Sequence, residues 1–434
     1  MVVVDGNNDE PPAAHGYPVS VCCLVLRLVL QGISLRAVPR ALAIMGDAFG
    51  WSLPIPHWTT GRLWLLRLGH AVLTAPLPKA DDWAWLIDHS VQIGQEKCLV
   101  ILGIRLQDLP KPGDCLAHDD MKLIALAPRK SWTAQEVDDQ LEAASQRTGV
   151  PRVIVNDHGR DILSGVSSFQ ERHTETLDVY DGKHKAACLL KGRLEKNPRW
   201  QEFQRQTAQT TRGVHQTELA FLAPPAAKPK ARFMNLEPTL QWAKNVLGVL
   251  REPPPVVRER VNSERLQEKL GWLSEYAPDL EEWSEWQRLA NATVDFVNRQ
   301  GLYRGAAKML WTELRREQLH DSSKGLAKEL VVYVAKQASQ ARVGERLPGS
   351  TEVLESCFGR FKQLEKQQAR GGFTSLVLGF GALLAKTTTE AINNAMEHSH
   401  TKEIAAWCKE TLGTTIFAQR KLAFASGEGA TKTR

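Results

Sequence analysis

Three acidic residues carry the chemistry this chain is able to do. Asp88 stands in an apolar, strand-like run over residues 83–93, and Asp157 ends a second run, Arg152-Val-Ile-Val-Asn-Asp157. Glu355 opens the helical stretch Glu355-Ser-Cys-Phe-Gly-Arg-Phe-Lys362. A carboxylate inside an apolar strand is costly unless something compensates its charge. A divalent cation is one such compensator, because hard cations prefer oxygen ligands. Phosphoryl transfer on a nucleic-acid backbone uses two such ions ~3.5–4 Å apart, held by carboxylates. Two acids on strands and one on a helix, far apart in sequence, suit a site assembled by folding.

The helix with Glu355 has two stripes. Leu354, Phe358, Phe361 and Leu364 form an apolar face at helical spacing. Glu355, Gly359, Lys362 and Lys366 run beside it, a face suited to a metal and a phosphate backbone. Taken alone, the second stripe reads more simply as a solvated face with Glu–Lys pairs. Asp161, Asp178 and Asp181 compete with Asp157 as the second acid. Asp81 and Asp82 precede the first strand and read as its solvated start, and Glu352 reads as a first-turn acid facing the helix dipole.

Other polar groups read more plainly. His118-Asp119-Asp120 sits in a Pro/Gly loop without a second spaced histidine, and reads as solvated. His89 and His158, each next to a candidate acid, read as ordinary hydrogen-bonded histidines, and His184 and Lys185 as surface residues. Trp242, Trp272, Trp283, Trp286 and Trp311 fall at spacings more typical of a helical core than of base-stacking platforms. The chain holds no phosphate-cradling glycine motif or nucleophile elbow.

The elements that must position the acids follow from periodicity. Residues 1–18 are polar and read as disordered. Helices are expected over 19–31, 34–45 (with Ser34 as N-cap) and 59–73. Short helices with glycine-bearing turns suggest a helix-turn-helix-type module, in which 59–73 would offer Arg62, Arg67 and His70 to DNA. A plain helical bundle is the simpler reading of that segment by itself. Strands are expected at 83–93, 97–106 and 122–128, with a turn at 94–96. A helix over 133–148 opens on the capping box Thr133-Ala-Gln-Glu136. A strand over 152–157, a helix over 162–172, a strand over 176–180 and a helix over 183–194 follow. The order β-β-β-α-β-α-β-α predicts an α/β fold, a mixed sheet with helices on its faces. Residues 223–232 read as a basic linker, 238–341 as wholly helical, and 374–398 and 401–411 as closing helices, with Ser350 capping the helix of Glu355.

Composition sets the class. Of 434 residues, 24% are charged and 43% hydrophobic, as in soluble globular proteins. The formal charge of +6 mildly favours an anionic partner such as nucleic acid. The seven cysteines include no Cys-x-x-Cys pair, which argues against a zinc module or disulfide framework and for a reducing compartment. No apolar run reaches the ~18 residues a membrane span needs. The expected location is cytoplasmic.

With the strand order, the placement of Asp88 and Asp157, the seven-residue step from Glu355 to Lys362 and a preceding helical module, the chain resembles the DDE transposases of bacterial insertion sequences. The resemblance spans residues 19–423. It implies an RNase H-like five-stranded core with flanking helices, an N-terminal helix-turn-helix module over 19–78, and core segments over 79–222 and 344–423. A large all-helical insertion over 223–343 would separate the second and third acids, and residues 424–434 would form a flexible tail. It implies that Asp88, Asp157 and Glu355 bind two Mg²⁺ ions, replaceable by Mn²⁺. Lys362 would contact the transposon end, with Lys366, Arg62 and Arg67 as further DNA contacts. The partners implied are double-stranded DNA, as transposon ends and target, and further copies of the chain in a dimer or larger assembly on DNA. The Tyr and Arg that precede the Glu in one large branch are missing, and Thr351 stands where that Arg would be. The alternatives are a transposase-derived DNA-binding protein without cleavage and a metal-dependent nuclease of the same fold.

Overall fold

The computed structural model describes residues 16–89, 97–226, 233, 235–316, 318–367, 374–413 and 422–425. The chain divides into two compact units, one of residues 1–111, 115–179 and 351–434, the other of residues 112–114 and 180–350. In chain order the elements are α1 (Val19–Leu30), α2 (Ala37–Phe49), α3 (Trp58–Thr74), β1 (Trp83–His89), β2 (Lys97–Arg105), β3 (Lys122–Arg129), α4 (Ala134–Thr148), β4 (Val153–Asn156), α5 (Arg160–Arg172) and β5 (Leu177–Tyr180). Then come α6 (Gly182–Leu194), α7 (Pro198–Val214), α8 (Glu237–Arg251), α9 (Pro255–Arg258), α10 (Ser263–Leu270), α11 (Ala277–Gln300), α12 (Ala306–Leu314) and α13 (Asp321–Ala338). The chain closes with α14 (Glu352–Glu365), α15 (Gly379–Leu383), α16 (Thr389–His398) and α17 (Thr401–Thr411). The expected turn at 94–96, most of the 223–232 linker and most of the tail after 424 lie outside the described residues. Among the described residues no helix is long and apolar enough to cross a membrane.

The five strands form one sheet in the order β3-β2-β1-β4-β5. β1 and β2 are antiparallel, as are β2 and β3, whereas β1 and β4 are parallel. Alternation along the strands sorts side chains between the two faces. Trp83, Trp85 and Ile87 of β1, Leu99 and Ile101 of β2 and Ile154 of β4 pack with Val137 and Leu141 of α4 and Ile162, Val166 and Phe169 of α5. α4 starts where the capping box predicts, with Thr133 Oγ1 accepting from the Glu136 N–H and Glu136 Oε2 accepting from the Thr133 N–H. Ala84, Leu86 and Asp88 point to the opposite face, and α14 packs on β1.

The three N-terminal helices share their unit with this sheet. α3 packs against α1, α15, α16 and β3. The expected long helix over 374–398 is broken after α15. Three consecutive threonines, Thr387 to Thr389, explain the break: β-branched residues are weak helix formers, and Thr388 serves instead as N-cap of α16, its Oγ1 accepting from the Ala391 N–H. Arg27 holds the interruption by donating to the Thr387 carbonyl at 2.7 Å. At α14 the N-cap position falls to Thr351 rather than Ser350, with no side-chain cap bond.

The second unit is helical, as expected for 238–341, and also takes in α6 and α7. Its core is aromatic. Trp283 meets Trp200 edge-on at 4.8 Å and Phe203 at 5.3 Å. Trp283 and Trp286 are buried. Trp242 and Trp272 donate to the Leu222 carbonyl and to Thr210 Oγ1. Trp311 is half-buried beneath the Arg315 guanidinium.

Candidate active site

β1, which carries Asp88, and β4, which Asp157 follows, are neighbours in the sheet. β1 and β4 pair in parallel as Ala84↔Val153, Trp85↔Ile154 and Leu86↔Val155. Asp88 is the sixth residue of β1 and Asp157 is the first residue beyond β4, so both lie toward the carboxyl ends of adjacent strands. Asp88 alternates with Ile87 and so belongs to the face opposite α4 and α5, whereas Asp157 lies past the end of β4. Each is half-buried. Asp88 Oδ1 accepts from the His89 N–H at 2.6 Å, and Asp157 Oδ1 accepts from the Gly159 N–H at 2.8 Å, closing a small turn that leads into α5.

α14 carries the third acid. Leu354, Phe358, Phe361 and Leu364 are buried as the apolar stripe requires, and Phe358 and Phe361 both pack on Phe380 of α15. That anchors the helix and leaves Glu355 half-buried on its flank, with Lys362 and Lys366 exposed further along. Glu355 is therefore held by the helix that packs on the strand bearing Asp88. The three acids are not drawn into one tight cluster: among the described residues no group of three or more His, Cys, Asp or Glu side chains is gathered to hold a metal ion. The donor chemistry, all carboxylate oxygen, is of the kind a hard divalent cation prefers.

A polar network that sequence alone does not announce surrounds the strand ends. His89, on the α5 side of β1, has its Nε2 2.8 Å from Asp161 Oδ2. Burial pushes the imidazole below its ordinary range, against the pull of Asp161. Burial also works against the charge of Asp161, but His89 outweighs it and holds that carboxyl low. Asp161 lies in the first turn of α5 and is committed to His89, and Asp181 is the buried N-cap of α6, accepting from the His184 N–H. Asp178 accepts from Asn156 Nδ2 at 2.8 Å and lies 3.0 Å from His158 Nε2, an ion-pair distance that misses hydrogen-bond direction. Asn156 is fully buried and also accepts from the His158 N–H. His158 has φ 57°, the one positive value among described non-glycine residues. Such strained backbone concentrates at functional sites. The readable signal is the polar pair Asn156-Asp157 at the end of an apolar strand run.

The N-terminal residues expected to face DNA turn inward instead. The Arg67 guanidinium is buried and donates to the backbone carbonyls of Met396 and Ser399. His70 is buried with Nδ1 2.9 Å from Ser399 Oγ, and Arg62 donates to Ser375 Oγ at 2.6 Å. An exposed cation facing DNA gains from the phosphates. These three instead satisfy carbonyls and hydroxyls of the C-terminal segments. His118, expected to be solvated, bonds α14: its Nε2 is 3.1 Å from Ser356 Oγ, and Arg360 lies 3.4 Å from its Nδ1.

No protein-family model matches the chain, and no curated protein matches it.

Proposed function

We propose that the chain is a DNA transposase of the DDE kind, an RNase H-like enzyme that cuts at transposon ends and joins the 3′-hydroxyl to target DNA. The observation that carries this reading is the parallel pairing of β1, which holds Asp88, with β4, which Asp157 follows, together with the packing of the helix of Glu355 on β1. The strand order β3-β2-β1-β4-β5 supports the RNase H-like comparison, and the helical second unit, lying in sequence between the second and third acids, supports an insertion domain. Asp88, Asp157 and Glu355 would hold divalent metal, Mg²⁺ or Mn²⁺, which supplies charge neutralisation at the scissile phosphate. The protein's own part is positional. Asn156 and the Gly159 N–H fix the turn that presents Asp157, and Lys362 and Lys366 offer cations to the DNA backbone.

One observation favours a second reading. The acids are not gathered into a metal-holding group among the described residues, as a transposase-derived DNA-binding protein without cleavage would allow. A nuclease of the same fold is separated from both only by strand transfer. The test is cleavage and joining of a duplex carrying the DNA that flanks the protein's own gene, with Mg²⁺ and with chelator. Metal-dependent nicking followed by joining supports the transposase. Nicking without joining supports the nuclease, and binding alone supports the third reading.

A further inference from the structure

We propose that the groove between α8 and α11, in the helical unit, is a binding site for a small aliphatic amine, held as its ammonium ion. The inference is independent of the nucleic-acid reading above. The two helices pack on one another and enclose between them a cavity of about 400 Å³, within the ~300–1,000 Å³ range of small-molecule sites. Glu237 of α8 and Gln287 and Asn291 of α11 line it. Asn291 Nδ2 donates to Glu237 Oε2 at 2.9 Å, and Gln287 Nε2 donates to Asn291 Oδ1 at 2.7 Å. The direction of this chain is fixed at its Glu237 end. An ionised carboxylate only accepts, so it draws the Asn291 amide NH₂ toward itself and turns the Asn291 oxygen to Gln287. That oxygen takes the Gln287 NH₂, and Gln287 Oε1 must then face away from the chain. Gln287 is only 5% exposed, and its Oε1 has no hydrogen-bond partner among the described residues. A buried acceptor without a donor is costly. Ser284, one turn earlier on α11, lines the same cavity with an Oγ that is likewise buried and unpartnered.

The charges of the lining point the same way. Lys244 lies 3.2 Å from Glu281, Arg288 3.8 Å from Glu285, and Asp295 2.7 Å from Arg299. Glu237 forms no ion pair among the described residues, and Asn291 is its one hydrogen-bond partner there. The groove therefore offers a carboxylate without a cation, a buried amide oxygen and a hydroxyl oxygen, beside an apolar wall of Leu240 and Ala292. A primary ammonium matches that set: it carries one positive charge and three N–H donors, and it accepts nothing. Its alkyl stem gains from lying on the apolar wall. A quaternary ammonium has the charge without the donors, and an alcohol has a donor without the charge.

The test is calorimetric titration of the full chain at neutral pH with n-butylammonium, tetramethylammonium and 1-butanol, repeated on Gln287→Leu and Glu237→Gln, with thermal melting of each protein. The parent should bind n-butylammonium saturably, with a dissociation constant on the order of 1 mM for so few atoms. The other two probes should bind about tenfold more weakly or not at all, each lacking part of the match. Gln287→Leu should weaken n-butylammonium by about tenfold and melt at or above the parent, because the buried unpartnered oxygen is gone. Glu237→Gln, at an exposed position, should keep the bond from Asn291 and lose a similar factor in affinity together with its salt dependence. A parent that gives no saturable binding overturns the proposal. So does tetramethylammonium binding as tightly as n-butylammonium, which would reduce the site to plain charge attraction. Variants that bind as the parent does overturn it, and so does a Gln287→Leu protein that melts well below the parent, since the oxygen then serves the fold.

Discussion

Gly69 of α3 and Gly381 of α15 meet backbone to backbone. A Cβ on Gly381 would stand 2.5 Å from the Gly69 carbonyl oxygen, and a Cβ on Gly69 would collide with the Leu378 carbonyl. Neither obstacle is a side chain that can turn aside. Gly69→Ala should therefore cost about 3 kcal/mol, the upper end for overpacking, measured as a shift in urea midpoint with unchanged slope. A loss under about 0.5 kcal/mol, the ordinary range of a surface substitution, would contradict the close crossing.

The same crossing changes what truncation should do. α3 buries Trp64, Leu65, Leu66 and Leu68, and Arg67 caps carbonyls of residues over three hundred positions away. Deleting residues 1–78 should expose the surfaces of α15 and α16 that α3 covers and yield protein that fails to unfold cooperatively. Arg67→Ala in the full chain should cost roughly 2–3 kcal/mol, because two buried carbonyls lose their donor. A truncated protein with a sharp melting transition would show that the helices form a separate module after all.

Glu365 gives the pH dependence. Burial pushes its carboxyl up to about 7, against the pull of Lys362. An acid raised on folding contributes stability that is complete below its unfolded value, about 4.3, and is lost as pH rises through 7. Glu365→Gln should thus be more stable than the parent at pH 8, by about 1 kcal/mol after allowing for solvent screening, and should match it near pH 4. Urea midpoints at the two pH values decide it, and equal midpoints at pH 8 would refute the buried environment.

Much of the fold was legible because its signals are local. The strands announce themselves by apolar runs, α4 by the Thr133–Glu136 box, and α14 by the stripe from Leu354 to Leu364. Asp88 and Asp157 could be placed at two strands, but that those strands are parallel neighbours became visible only in the sheet order. The orientation of α3 was not legible. Arg62, Arg67 and His70 look like an exposed basic face until the carbonyls of residues 396 and 399 arrive to receive them, and no window of sequence reports that. Gly61 and Gly69 were the available hint, since glycines on one helix permit close crossings. The start of the helical unit at residue 180 rather than 223 was hidden for a similar reason. α6 continues the β-α alternation in sequence yet packs on α11 and α13 in space.

Asp88 and Asp157 carry the central claim, and isosteric neutralisation tests it most directly. The measurement is Mg²⁺-dependent nicking of a duplex carrying the gene's flanking DNA by the parent, Asp88→Asn and Asp157→Asn, with melting and DNA binding recorded on the same preparations. The account predicts that the parent nicks, that both variants fall to background, and that both keep DNA binding. Their metal-free stability should be unchanged or slightly raised, as repulsion between neighbouring carboxylates is relieved. Variants that nick as the parent does, or a parent that binds this DNA without nicking it, would contradict the account.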